Sequence, residues 1–137
     1  MSGRIAIRQG DRSDIAKLRW TRGRGSDVWV LSSPLGNDIA RIESDARGAT
    51  LTRAGAAPEQ AESFQALTER LLGVALAPDE VAAWLHGEAP RAVAGGWAVT
   101  IDETQPAGAI RLARRLTAQR GDVVVKLVID DYQPLAN

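Results

Sequence analysis

The chain has 137 residues, of which 45% are hydrophobic and 25% are charged, values that are ordinary for one soluble globular domain with one core. Its 17 basic and 17 acidic residues give a net charge of +0, which argues against a nucleic-acid-binding protein because such proteins carry a basic excess. There is no cysteine, so disulfides, thiolate metal ligands and thiol nucleophiles are excluded.

The first residues of the sequence already alternate like a β-strand, with Ile5 and Ile7 set between Arg4, Ala6 and Arg8. No basic segment followed by an apolar segment comes before them, so we expect no export signal in the printed sequence. No apolar run approaches the ~20 residues that a membrane-spanning helix needs. We therefore expect a single domain over residues 1–137 that is itself soluble and monomeric.

The first half of the chain predicts short antiparallel strands joined by brief turns. Apolar or alternating runs lie at residues 4–8, 15–20, 27–31, 39–43 and 49–53. The turns between them are rich in glycine and charged residues. Segment 27–31 is apolar on both faces, which is typical of a strand that is sandwiched or lines a cavity. This succession favours a meander that closes towards a barrel or a sandwich.

Two helices are predicted in the middle of the chain. Residues 58–72 place apolar side chains at helical spacing, and a proline and a glycine bound the segment. Residues 78–86 begin with Pro78 and two acidic residues, which suit the positive end of the helix dipole. Trp84 and Leu85 lie on the apolar face of this second helix.

Strands are expected to resume after a loop at residues 88–96. Residues 97–101 alternate, and residues 122–129 are β-branched and strongly favour a strand. Segment 109–117 is ambiguous, because its composition also tolerates a helix. We favour a strand, since it would pair with the strand that follows. The stretch between residues 101 and 109 is short, which leaves the number of strands near the C-terminus open.

Groups able to catalyse a reaction are scarce. The single histidine, His86, stands at a predicted helix end, where the dipole favours it, rather than in a recognisable triad or zinc site. The adjacent acids Asp102-Glu103 and Asp130-Asp131 would point to opposite faces of a strand. Gly23-Arg24-Gly25 lacks the helix that follows a phosphate-binding loop. We expect no catalytic residue, no metal site and no cofactor.

A local basic cluster is formed by Arg111, Arg114, Arg115 and Arg120. The neutral total charge favours a solvated strand face and turn over a nucleic-acid surface, and we expect no nucleic-acid partner. A second interpretation is an electrostatic contact surface for an acidic partner.

The turn Ser33-Pro34-Leu35-Gly36 lies between two predicted strands. Proline pre-sets the backbone at the second turn position and glycine closes the turn, which places Leu35 at the tip, where a polar residue is usual. A lone exposed leucine is common and needs no functional explanation. On a stiff turn it could also enter a bilayer interface or a groove of a partner.

Several short motifs occur in a characteristic order along essentially the whole chain. They are Trp29-Val30-Leu31, Ser33-Pro34-Leu35-Gly36, Leu71-Leu72-Gly73, Trp84-Leu85-His86-Gly87, Gly95-Gly96-Trp97 and Lys126-Leu127-Val128-Ile129-Asp130. Each is short, but together they resemble the LolB family, the outer-membrane lipoprotein receptors of Gram-negative bacteria.

The resemblance implies an α+β, mainly β fold: an incomplete, half-open antiparallel β-barrel with helices covering an apolar cavity. In the family this cavity receives the acyl chains of lipoproteins from the periplasmic carrier LolA, and the receptor transfers them into the outer membrane without a cofactor or ATP. The implied partners are lipoproteins, a LolA-type carrier and the inner leaflet of the outer membrane, and the implied location is its periplasmic face. The protruding loop Pro34, Leu35 and Gly36 would insert into the membrane.

Large apolar residues of the strands and helices are the candidates for the acyl-cavity lining. They are Trp20, Trp29, Leu31, Phe64, Leu67, Leu71, Trp84, Leu85, Trp97, Leu127 and Ile129. The signal peptide, the lipidated cysteine and the first helix of the family have no counterpart in the printed sequence. Two other functions stay open: a periplasmic acyl-binding carrier or sensor without membrane-insertion activity, and, less favoured for want of a nucleophile–base pair, an enzyme acting on lipids.

Overall fold

The computed structural model describes residues 1–35, 37–53, 55–86, 96–107 and 110–131, which form a nine-stranded sheet and two helices. The strands are β1 (Ser2–Gln9), β2 (Arg12–Gly23), β3 (Ser26–Ser32), β4 (Asp38–Asp45), β5 (Gly48–Arg53), β6 (Glu59–Ala61), β7 (Ala98–Ala107), β8 (Ile110–Arg120) and β9 (Val123–Asp131). The helices are α1 (Phe64–Leu72) and α2 (Pro78–Leu85).

The strand order is β6-β5-β4-β3-β2-β1-β9-β8-β7, and every neighbouring pair is antiparallel. Strands adjacent in the chain pair with one another except β6 and β7, and the pairing of β1 with β9 joins the two halves of the sheet. The sheet begins at β6 and ends at β7, so it is not closed. The predicted mainly β, incomplete antiparallel barrel is therefore confirmed.

One face of the sheet is apolar because the strands alternate. In β2, Leu18 and Trp20 are buried while Lys17 and Arg19 are exposed, as the sequence predicted. The buried side chains face α1, which contacts β4, β5 and β6, and α2, which contacts β8. We call the space between this inner face and the two helices the interior.

The prediction of a helix over residues 58–72 is wrong in its first part. Glu59–Ala61 forms β6 and pairs with β5, and the helix begins only at Phe64. The backbone groups at the edge of β5 are satisfied by this pairing. Ser63 then caps the helix, since its hydroxyl oxygen accepts a hydrogen bond of 3.2 Å from the backbone N–H of Ala66.

The helix ends agree with the sequence signals. Gly73 ends α1 in the left-handed conformation, with φ of 80°, and Pro78 opens α2. His86 follows the last turn of α2, whereas Gly87 and most of the predicted loop lie outside the described residues. In the part of the chain that the structure describes, no helix has the length and hydropathy to cross a membrane.

The C-terminal third consists of strands. The ambiguous segment 109–117 falls mainly in β8, so the preference for a strand is confirmed. The stretch that seemed short belongs to β7, which continues to Ala107 with irregular pairing between Ile101 and Thr104. The strand predicted at residues 122–129 is β9.

Candidate functional site

An aromatic cluster fixes α1 to the sheet. Trp20 on β2 and Trp29 on β3 are paired across the two strands, and their ring centroids lie 5.5 Å apart in an edge-on arrangement. Phe64, the first residue of α1, lies edge-on to Trp29 at 5.0 Å. Such aromatic pairs add stability beyond the area that they bury, so these rings hold the start of α1 against the inner face.

A second aromatic pair fixes α2. Trp84 of α2 lies edge-on to Trp97, with ring centroids 5.3 Å apart. The guanidinium of Arg120 lies over the Trp97 ring, 4.5 Å from its centroid, in a cation–π contact. The two helices are thus attached to the sheet through separate aromatic contacts at different places.

Two of the four tryptophans carry a buried donor without an acceptor. The indole Nε1 atoms of Trp29 and Trp84 have no hydrogen-bond partner among the described residues, although both side chains are fully buried. By contrast, Trp20 donates to the carboxylate of Asp27 at 2.9 Å. A buried, unpaired N–H costs about 1–3 kcal/mol. The interior therefore offers two donors that an oxygen of an apolar ligand could satisfy.

The predicted acyl-cavity residues lie together in the structure. Ten of the eleven are buried, and Leu71 is partly buried and packs against them. They form a continuous apolar core with the inner face of the sheet, and none borders the two surface clefts of about 500 and 590 Å³. Burial agrees with the inward position that was expected, and the role of these residues as a lipid-binding surface stays a prediction.

Other apolar residues share the interior although they were not among the predicted lining residues. They include Leu18, Ile42, Leu51, Leu76, Val81 and Leu116, all at most 1% exposed. The strand residues could have been found from alternation alone, since Ile42 and Leu51 each stand between polar neighbours and face one another across β4 and β5.

A buried threonine organises the connection between the helices. Thr68 of α1 is fully buried, and its hydroxyl accepts a hydrogen bond of 2.8 Å from the backbone N–H of Leu76. The same hydroxyl donates to the carbonyl of Gln65 at 3.0 Å. These bonds tie the segment before α2 to the inner side of α1, and no sequence motif announced them.

A charged group links the rim of the barrel to α2. Arg22 of β2 forms an ion pair with Asp79 in the first turn of α2 and approaches Asp27 at 3.7 Å. Desolvation by burial raises the pKa of Asp27, although the hydrogen bond from Trp20 and the charge of Arg22 act against it. Burial likewise raises the pKa of Glu80 in the same turn of α2. Partly desolvated carboxylates therefore lie where α2 meets the sheet.

The predicted membrane loop is a tight turn whose base is held by hydrogen bonds between Ser33 and Asn37 and whose tip is apolar. Leu35 is 91% exposed. At the base, the N–H of Ser33 donates to the carbonyl of Asn37 at 2.8 Å, and the N–H of Asn37 donates to the hydroxyl of Ser33 at 3.2 Å. Pro34 is exposed beside Leu35, and Gly36 lies outside the described residues. The exposed tip agrees with the expected position, and its insertion into a membrane stays a prediction.

The basic cluster on β8 is engaged with its neighbours. Arg114 and Arg115 lie 3.7 and 3.3 Å from the carboxylate of Glu103, and Arg111 donates to the hydroxyl of Thr104. These contacts agree with a solvated strand face. The fourth member of the cluster makes the cation–π contact described above.

Comparison with known proteins gives a consistent result over nearly the whole chain. A family model described as "Outer membrane lipoprotein LolB" matches residues 1–132. The chain is similar to the outer-membrane lipoprotein LolB of Thiobacillus denitrificans, with 31% identity over 149 aligned positions that cover 97% of this chain and 78% of the relative. It is also similar to the protein of the same name from Pseudomonas aeruginosa, with 30% identity over 150 positions that cover 98% and 73%.

Proposed function

The chain belongs to the LolB family of outer-membrane lipoproteins, and we propose that its interior takes up the acyl chains of a lipoprotein from a LolA-type carrier and releases them into the outer membrane. The resemblance seen in the motifs is thereby confirmed, and as a member of this family the protein functions in lipoprotein localisation. The proposed site of action is the periplasmic face of that membrane. Transfer of this kind breaks no covalent bond, so it requires no catalytic residue.

The observation that carries the proposal is the apolar interior with its two unpaired indole donors. Burial of an acyl chain contributes ~0.8 kcal/mol for each CH₂ group, so a lipoprotein does not cross water unaided and must pass between apolar surfaces. In the structure these surfaces are in contact with α1 and α2. Uptake therefore requires the helices to move outward, with acyl chains replacing contacts such as Trp29–Phe64 and Trp84–Trp97.

The buried donors suit the polar end of an acyl group. An ester or amide carbonyl oxygen is an acceptor that Trp29 and Trp84 lack among the described residues, and pairing would recover the free energy that their unpaired N–H groups cost. This would favour acylated ligands over plain hydrocarbons. The donor groups thus add chemical selectivity to a surface that is otherwise only apolar.

A transfer assay with matched tryptophan variants tests this proposal. Carrier loaded with a labelled lipoprotein is mixed with the purified protein, and the bound lipoprotein is measured. Trp29→Phe and Trp84→Phe keep an aromatic ring and remove the unpaired donor together with part of the indole volume, so acceptance should fall about fivefold or more, of which one hydrogen bond of about 1 kcal/mol supplies about fivefold. Trp20→Phe, which loses the same ring volume but a donor already bonded to Asp27, is the matched control for ring size and should lose clearly less acceptance than the other two variants. Equal acceptance by all three variants would refute a role for the indole donors, and no acceptance by the unmodified protein would refute the proposal as a whole.

The release step is assigned to the turn that carries Leu35. An exposed leucine on a turn closed by Ser33 and Asn37 can enter the bilayer interface without unfolding the sheet. Leu35→Glu should leave acceptance from the carrier unchanged and strongly reduce delivery to liposomes, whereas Leu35→Ile should deliver normally. Unchanged delivery by Leu35→Glu would contradict the assignment. A complete failure of the unmodified protein to bind liposomes would instead support the alternative, an acyl-binding carrier or sensor without insertion activity.

A further inference from the structure

Three large aliphatic side chains are exposed among the described residues, and they lie at one corner of the sheet. Leu35 is 91% exposed, Ile15 61% and Ile39 43%. The last β2–β3 pair at this end joins Lys17 and Ser32. Ile15 lies on the same outer face as Lys17, two residues earlier in β2. It is therefore level with the turn that carries Leu35.

Ile39 reaches the same corner from the other side of the turn. The β3–β4 pairing is irregular after Leu31, where Ser32 pairs with Asp38 and leaves Ile39 as the extra residue. An extra residue of this kind turns its side chain outward and bends the strand. Ile15, Leu35 and Ile39, which we call the apolar corner, therefore surround the base and tip of one turn.

Cations lie on the outer face of the sheet beside the apolar corner. This cationic face consists of Arg4, Arg8, Lys17, Arg19 and Lys126, all exposed. Arg4 is directly opposite Lys17, a like-charged pair that weakens the sheet unless an anion is present. Only Arg4 forms an ion pair among the described residues, with Asp130 at 3.3 Å. Since neighbouring strands are about 4.8 Å apart, Lys17 and Arg4 lie within about 10 Å of the Leu35 turn.

A cleft of about 590 Å³ opens between these cations and the turn. Arg4, Lys17 and Arg19 line it together with Ser2, and Ser32, whose hydroxyl donates to Asp38, borders it as well. Guanidinium, ammonium and hydroxyl groups are the donors that bind phosphate oxygens in proteins. The lining therefore matches the chemistry of a phosphodiester.

Two carboxylates also border this cleft, and both are engaged. Asp38 accepts a hydrogen bond of 2.9 Å from the hydroxyl of Ser32, and Asp130 is paired with Arg4. Lys17 and Arg19 form no ion pair with a carboxylate within the described residues. Asp38 keeps its charge, but the cations Arg4, Lys17 and Arg19 outnumber the two carboxylates, so the net charge of the lining is positive.

We infer that the apolar corner and the cationic face together bind a membrane surface that contains anionic phospholipids. Ile15 and Ile39 would enter the interface beside Leu35, while Lys17 and Arg19 contact the headgroup phosphates. This inference rests on the proposed function and extends it to lipid composition. Aliphatic tips flanked by cations are typical of interfacial binding. Three separate protruding side chains suit a deformable bilayer better than a protein partner, which would have to present a matching hollow for each.

Vesicle binding with paired variants tests the inference. The unmodified protein should bind vesicles of phosphatidylcholine mixed with phosphatidylglycerol more tightly than pure phosphatidylcholine vesicles, and added salt should remove the difference. The double variant Lys17→Gln with Arg19→Gln should lose about 25-fold in affinity for the anionic vesicles, about fivefold for each cation. Arg47 is an exposed cation in the turn between β4 and β5, at the end of β4 that lies away from Ile39. Arg47→Gln should therefore change the affinity for neither kind of vesicle.

The aliphatic part of the surface is tested separately. Ile15→Ser with Ile39→Ser should weaken binding to both kinds of vesicle by a similar factor, because the lost contact is apolar. Equal affinity of the unmodified protein for both vesicles, or an equal loss in Arg47→Gln, would overturn the inference. So would a double Gln variant that binds vesicles normally but fails to accept lipoprotein, since its cations would then serve an acidic protein. Failure of the proposed function is distinguishable, because it would abolish acceptance from the carrier while vesicle binding remained intact.

Discussion

Trp29 and Phe64 pack edge-on with ring centroids 5.0 Å apart, and this contact joins the inner face of β3 to the first residue of α1. Trp29 is 0% exposed and Phe64 is 4% exposed. Because α1 has only nine residues, its stability depends on packing more than on its own propensity. The Trp29–Phe64 contact, the cap from Ser63 and the buried Leu67 therefore hold α1 over the interior.

Replacing Phe64 by alanine should weaken this attachment. Loss of a buried phenylalanine costs about 3–5 kcal/mol, so the free energy of unfolding measured with urea should fall by about that amount. Gln65→Ala, on the exposed side of the same helix turn, should change it by less than about 0.5 kcal/mol. Similar values for the two variants would show that α1 is not held through the Trp29–Phe64 contact.

A second prediction concerns the pairing that joins the two halves of the sheet. A Cβ atom on Gly3 would collide with the backbone carbonyl oxygen of Val128 on β9, and a backbone atom in a paired strand cannot move aside easily. Gly3→Ala should therefore destabilise the fold by about 1–3 kcal/mol. At Gly23 the nearest atom is the side-chain hydroxyl of Ser26, which can rotate away, so Gly23→Ala is the control. If thermal unfolding shows no difference between the two variants, the close approach of β1 and β9 is wrong.

Much of this architecture could be predicted from the sequence, because the alternation of apolar and polar residues shows which face of a strand is buried. The faces of β2 and the strand character of β3 and β9 follow directly from which residues are apolar. The strand β6 could not be found this way, since Glu59–Ala61 has only three residues and is held by its pairing with β5. A helix pattern in the sequence extended over it because Ala61 and Phe64 happen to have helical spacing.

The site was predictable in composition and less so in arrangement. Large apolar residues were expected inside, and ten of the eleven are buried, because hydrophobicity alone drives that outcome. The unpaired indole groups of Trp29 and Trp84 depend on the positions of distant atoms, which no local pattern records. The apolar corner depends on strand register, because only the pairing of Lys17 with Ser32 brings Ile15 next to Leu35.

The hydrogen bonds of Thr68 yield a third prediction. Thr68→Val keeps the shape of the side chain but removes the acceptor of the Leu76 N–H, and it leaves that buried group unpaired. The cost should be about 1–3 kcal/mol in the free energy of unfolding. Thr68→Ser keeps the hydroxyl and loses only a methyl group, so it should cost about 1 kcal/mol. Hydrogen exchange at Leu76 should accelerate in the valine variant alone, and unchanged exchange would argue against this bond as the link between the helices.

The carboxylate of Asp27 leads to a prediction about pH. Burial raises the pKa of Asp27 above its ordinary value of 3.8, so the folded protein binds this proton more tightly than the unfolded chain does. Stability from this group is therefore greatest at pH below 3.8 and is lost as the pH rises through the higher folded pKa. Asp27→Asn removes this loss and keeps an oxygen acceptor for the indole of Trp20. The free energy of unfolding of the Asn variant should thus become larger relative to that of the unmodified protein as the pH rises from 3.8 towards neutrality.

Removal of the Trp20 indole, which donates a hydrogen bond to Asp27, should raise the pKa of Asp27 still more. The bond from Trp20 lowers the pKa of Asp27, so Trp20→Phe should raise that pKa further and move the loss of stability to higher pH. Urea unfolding at a series of pH values measures both variants against the unmodified protein. A difference between Asp27→Asn and the unmodified protein that stays constant with pH would contradict the raised pKa. Because Arg22 forms an ion pair with Asp79 on α2 and also approaches Asp27, a confirmed pH dependence would show that the charge beside this contact with α2 changes with acidity.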